Sequence, residues 1–161
     1  VDAAHFKYIH GTNDFPDYDF EFDGHKRTAS VDAKMPTPKG VVDGTIAYGT
    51  VGAGQSWTKF SGISETLMVA GITPIDQERT NIRFAFTQPK TEAEGPMASL
   101  AKAMRREICK QLDQDKVVWD RQKYMPKPSI CDGDGPILPF RKYFSQFYAE
   151  WGNDKKQMIK L

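Results

Sequence analysis

"NIRFAFTQPKTEAEGPMASLAKAMRREICKQL", residues 81–112, contains a change of period. Ile82, Phe84 and Phe86 alternate with Arg83 and Ala85, the two-residue repeat of a strand with one buried face. After Gln88 the alternation stops. Pro96 suits the first turn of a helix, and no Gly or Pro interrupts the run from there to about Gln122. At about 100° per residue, Met97, Ala101, Met104, Ile108, Leu112 and Trp119 share a stripe about 80° wide, opposite Lys102, Arg106, Lys110 and Asp113.

Working outward, Phe20 to Gln88 carries a β pattern. Strands are predicted at 26–33, 42–50, 55–61, 65–73 and 79–88, with turn signals at Pro36–Gly40, Gly52–Gly54 and Asp76–Glu78. The gaps leave no room for crossover helices, so the sheet is expected to be antiparallel. Residues 2–10 are predicted as a short helix ended by Gly11, and 11–18 as a loop. After a Pro- and Gly-rich connector at 126–139, a second helix is expected at 139–151. Its aromatics, Phe140, Tyr143, Phe144, Phe147, Tyr148 and Trp151, are read as packing groups. The prediction is an α+β domain spanning 1–161, a curved antiparallel sheet packed on a long C-terminal helix.

Composition narrows the function. The 161 residues are 39% hydrophobic and 27% charged, as in an ordinary soluble domain. A net charge of +1 offers no electrostatic footprint for nucleic acid or anionic lipid. No apolar run reaches the roughly 18 residues a membrane span needs. Cys109 and Cys131 lie far apart without a C-x-x-C pair, so a cytoplasmic, reducing compartment is expected. The chain opens at Val1 without Met, inside a motif, and is expected to be a fragment of a longer protein.

One residue breaks the helical stripe. Asp115 falls near its middle, between Leu112 and Trp119, where a carboxylate is costly without an ion pair, hydrogen bonds or a metal. A partly exposed acid near a fraying helix end is the plainer alternative. The opening stretch "VDAAHFKYIH", residues 1–10, brings Asp2 together with His5 and His10. A five-residue separation is looser than a helical H-x-x-x-H chelate, and two ordinary surface or core histidines would explain it equally. Two His and one carboxylate suit a facial triad on Fe(II), but zinc hydrolases use the same ligand types. Asp2, one turn before His5, is placed to accept its second ring N–H. "GTVGAG", 49–54, reads as a hairpin loop and "DGDG", 132–135, as a turn. His25 is expected to be exposed.

The D-x-x-H-x-x-x-x-H spacing of Asp2, His5 and His10 resembles the mononuclear iron motif of Rieske non-haem iron oxygenases. "QDKVVW", which contains Asp115, resembles the helix that supplies the third ligand. Together with "GDGPILPFRKYFSQFY", the wording is most similar to the catalytic domains of the 3-ketosteroid 9α-hydroxylase and cholesterol 7-desaturase branch. The resemblance runs end to end and implies a START-like helix-grip fold. It implies that His5, His10 and Asp115 hold Fe(II), with Asp2 as the catalytic conduit for electrons. It further implies O₂, a reductase or ferredoxin donor, a trimeric full-length enzyme, and hydroxylation or desaturation of a hydrophobic, steroid-like substrate. The family's cluster motif, C-x-H followed by C-x-x-H, is absent, so the [2Fe–2S] cluster is expected in an N-terminal Rieske domain outside this sequence. Phe84 and Phe86 are expected to line an apolar pocket bounded by the sheet and the long helix. The rival from another class is a metal-free START-like carrier of hydrophobic ligands.

Overall fold

The computed structural model describes residues 8–9, 20–37, 39–90, 94–95, 97–131, 134 and 136–148. Six strands form one antiparallel sheet in chain order: β1 (Glu21–Asp23), β2 (Lys26–Thr37), β3 (Gly40–Val51), β4 (Gln55–Ser61), β5 (Thr66–Pro74) and β6 (Thr80–Thr87). Every strand pairs with its sequence neighbour, as short connections require. Two helices follow, α1 (Ala98–Trp119) and α2 (Ile137–Ser145). The expected α+β class holds.

Two details of the sheet depart from the prediction. β2 and β3 run through the expected turn at Pro36–Gly40, pairing as far as Thr37↔Gly40. Thr37 Oγ1 donates to Gly40 O at 2.7 Å, and Gly40 takes the positive φ of 125° that reverses the chain. β1 was not predicted: three residues are too few to display a period. "GTVGAG" is the expected hairpin, with Gly52 at φ 66° donating its N–H to His25 O at 2.8 Å. His25 is exposed, as expected.

The chain divides into two compact units, residues 16–110 and residues 1–15 with 111–161. In the first, Ala29, Val31, Met35 and Ala70 are buried on one sheet face with Thr66, which is 0% exposed. The opposite face carries the Lys34–Asp43 and Lys59–Glu65 ion pairs. There Trp57 lies against Gly49. A Cβ at Gly49 would sit 2.9 Å from the indole and 2.8 Å from Arg27 O, so the position admits only glycine without displacement.

Within α1, Ala101 and Ile108 are buried, and Met104, Leu112, Asp115 and Val118 are half-buried, a spacing of three and four that makes one face. Lys102, Arg106, Lys110 and Asp113 are exposed, as predicted. The stripe is shorter than expected at both ends. Met97 is 46% exposed because it stands before the first helical residue, its carbonyl accepting from Leu100 and Ala101. Trp119 is 37% exposed at the C-terminal turn. The helix ends there rather than at Gln122 because Arg121 and Gln122 donate to Val118 O and Trp119 O, three residues back, and the Arg121 guanidinium caps Val117 O at 2.8 Å.

In the second unit, α2 begins and ends earlier than predicted. Phe140 N–H donates to Pro136 O, and the Phe144 ring meets Phe140 at a tilt and Phe147 and Tyr148 edge-to-face, with ring centroids 5.6–5.9 Å apart. Tyr143 is buried, so the aromatics serve packing. Trp151 lies outside the described residues. Arg141 donates to Met125 O at 2.8 Å and lies over the Tyr124 ring, tying residues 124–126 to α2. Within "DGDG", Asp134 accepts the Cys131 N–H at 2.8 Å and donates its own N–H to Cys131 O at 3.0 Å, the expected turn. Both cysteines are exposed and unbridged. Among the described residues no helix is long and apolar enough to cross a membrane.

Candidate substrate face and metal ligand

Of the four residues expected at a metal centre, the structure describes Asp115. Asp2, His5 and His10 lie outside the described residues. Among the described residues, no group of three His, Cys, Asp or Glu is arranged to hold a metal. Asp115 is half-buried on the packed face of α1, three residues after half-buried Leu112 and three before half-buried Val118. A carboxylate held on a packing face fits the anionic member of a two-His, one-carboxylate set.

The second candidate is the buried face of the sheet. In an antiparallel pair, directly opposed residues share a face, so register alone lists its members. One cross-strand row runs Phe22, Arg27, Thr50, Ser56, Ala70, Phe84. Its neighbour runs Ala29, Tyr48, Thr58, Met68, Phe86. Phe84 and Phe86 therefore lie side by side on this face, and both are half-buried. Ile82, expected to be buried with them, is 37% exposed. It pairs with Ile72 toward the β5–β6 turn, on a strand at the sheet's edge, so fewer neighbours cover it.

Sequence reading gave no hint of Gln88. Its amide Nε2 donates to Thr66 Oγ1 at 2.9 Å and to Ala101 O at 3.0 Å, and its Oε1 accepts from Arg105 Nη1 at 3.2 Å. These bonds join β5, the end of β6 and the first half of α1. They span 22, 13 and 17 residues of chain, so no local pattern announces them. A cleft of about 240 Å³ opens beside this amide, lined by Gln88, Ala98, Ser99, Ala101, Lys102 and Arg105. It is smaller than the roughly 300–1,000 Å³ of ordinary ligand sites, and neither Phe84 nor Phe86 lines it.

Among the described residues, electrostatic tuning is seen at surface groups. The Arg79 guanidinium, followed by the Glu78 N–H, holds the Asp76 carboxyl below its ordinary value in the β5–β6 turn. Lys59, and then Ser61, do the same for Glu65.

Residues 1–148 match the family model described as the 3-ketosteroid 9alpha-hydroxylase C-terminal domain. A 3-ketosteroid-9-alpha-monooxygenase oxygenase component from Rhodococcus rhodochrous is 24% identical over 177 residues, covering 98% of this chain and 45% of that protein. Cholesterol 7-desaturase nvd from Xenopus laevis is 25% identical over 111 residues, covering 68% of this chain and 24% of that protein. A cholesterol 7-desaturase from Caenorhabditis elegans is 42% identical over 40 residues, a quarter of this chain. The chain thus spans less than half the length of these relatives.

Proposed function

The chain belongs to the 3-ketosteroid 9α-hydroxylase C-terminal domain family, and from that membership we propose that it is the catalytic domain of an Fe(II)- and O₂-dependent oxygenase that hydroxylates or desaturates a steroid-like substrate. The observation that carries the reading is the half-buried carboxylate of Asp115 on the packed face of α1, within the 1–148 span of the match.

In this reading His5, His10 and Asp115 hold the iron. A bound Fe(II) supplies the binding and reduction of O₂, which no side chain of this sequence carries out. Asp115 contributes the negative charge that makes a two-His site retain a divalent cation. Asp2 accepts the ring N–H of a ligand imidazole, which fixes its tautomer and leaves the other nitrogen's lone pair for the metal. The half-buried rows of the sheet, with Phe84 and Phe86, bind and orient the apolar substrate and exclude water from it. Neither Cys109 nor Cys131 lies in a C-x-H or C-x-x-H pair, so the proposal places the [2Fe–2S] cluster in a separate Rieske domain. A reductase or ferredoxin supplies its electrons, and the full-length protein works as a homo-oligomer.

A paired substitution in the full-length protein tests the roles. Asp115→Ala removes an anionic ligand and strips the iron. Asp2→Ala leaves iron bound and slows its single-turnover reduction. Iron content and reduction rate are measured in both. Loss of iron from both variants would make Asp2 a ligand. Full-length protein that purifies with no iron, and whose activity ignores both substitutions, would leave the metal-free carrier as the reading.

A further inference from the structure

Charged side chains in β2, β3, β4 and β6 follow the pleat with one exception. Lys26, Asp32, Lys34, Asp43, Lys59 and Arg83 all occupy outer-face register positions. Arg27 alone among the described strand residues of these four is a charged side chain on the inner face, where Ala29, Val31 and Ala70 are buried. It is half-buried, and its guanidinium carbon lies 4.3 Å from the centre of the Phe20 ring, which in turn meets Tyr48 edge-on at 5.7 Å.

The rows around Arg27 are graded. Across the sheet, Arg27, Thr50 and Ser56 give way to Ala70 and Phe84. In the neighbouring row the hydroxyls of Tyr48 and Thr58 give way to Met68 and Phe86. Along these two rows the β3 and β4 positions, with Arg27 beside them, are therefore polar and cationic, and the β5 and β6 positions apolar. Four strand spacings of about 4.8 Å separate Arg27 from Phe84 along the sheet, about 19 Å in all, the scale of a four-ring skeleton with its side chain.

We infer that this face binds a hydrophobic carboxylic acid, with its carboxylate on Arg27 beside the Thr50 and Ser56 hydroxyls and its apolar body along Ala70, Phe84, Met68 and Phe86. The inference rests on the reading of the inner face as the substrate surface. A guanidinium presents a planar fork that matches two carboxylate oxygens, and the paired charges strengthen those bonds. With five N–H donors it serves an existing neighbour and a ligand oxygen together. A cation kept on a partly desolvated aromatic surface favours an anion over a neutral oxygen, because the anion offsets the loss of water around the charge.

Equilibrium dialysis of the full-length protein at pH 8 against 5β-cholanic acid and its methyl ester tests this, since the two differ in the charge and one methyl group. The acid should bind about tenfold more tightly than the ester, as a charge-assisted contact predicts. Arg27→Met should abolish that preference by weakening the acid, with ester binding held within about twofold, and Arg27→Lys should restore part of it. Circular dichroism verifies that the variants fold, and the ratio in the unaltered protein needs no variant. Equal binding of acid and ester by the unaltered protein overturns the inference. So does an Arg27→Met that weakens both ligands alike, which would assign Arg27 to packing over Phe20. Binding of neither ligand removes the substrate-surface reading, and this inference with it.

Discussion

At the scale of single residues, the informative ones are those whose chemistry conflicts with their place. Asp115 is a carboxylate on a packing face and Arg27 a cation on the apolar side of a sheet. The first was legible, because a helix repeats over a few residues and the stripe could be drawn from sequence. The second shares parity with Ala29, Val31 and Ala33, so its signal was present but carried no weight until the register was known. Asp76 is the opposite case, a charge in an ordinary place. Its Oδ1 accepts the Glu78 and Arg79 N–H groups at 3.0 and 2.8 Å, and its Oδ2 the Arg79 guanidinium. All of these favour the ionised form, so the Asp76 carboxyl carbon followed by NMR should titrate below 3.8, the ordinary value. Because the shift is downward, whatever the turn gains from it is present above that value and lost as pH falls through the lower folded value. Arg79→Ala should move the midpoint back up. An unchanged midpoint would assign the shift to the backbone N–H groups alone.

Among the elements, the junction between sheet and helix is set by one amide. Gln88→Leu keeps the volume and removes every bond. It would strand the Thr66 hydroxyl, 0% exposed, without that donor, together with an Arg105 contact. The expected loss is about 1–3 kcal/mol of unfolding free energy in urea, the cost of stranding a buried polar group. Gln88→Glu keeps the Arg105 acceptor but turns an acceptor oxygen toward the Ala101 carbonyl, so it should also destabilise. Equal stability of Gln88→Leu and the unaltered chain would show that the junction is held by burial of Ala101 instead. The exposed pairs Lys34–Asp43 and Lys116–Asp120 are not expected to matter comparably, since water and salt screen surface ion pairs. Element boundaries were legible where a repeat was long. They shifted where local bonds decided them, as at Thr37–Gly40 and at the Arg121 cap of α1.

For the whole molecule, the proposed use of the sheet face as a binding surface would make ligand binding and stability one equilibrium. A steroid-like ligand at about 100 times its Kd should add about 2.7 kcal/mol to folding, read as a rise in thermal midpoint that grows with ligand concentration. A midpoint indifferent to steroid-like ligands would detach the fold from the proposed substrate class. The meander was legible in the sequence because every connection is short, and short connections permit only neighbouring antiparallel strands. The α+β order, the amphipathic face of α1 and the motifs that point to the family were legible for the same reason: each is written in residues a few positions apart. Tertiary structure alone decided which side chains share a row of the sheet, that Gln88 reaches Thr66 and Ala101, and that Met97, Trp119 and Ile82 remain exposed. Those facts depend on register and on what covers each face, and both are set by pairings between residues distant in the chain, which no local period encodes.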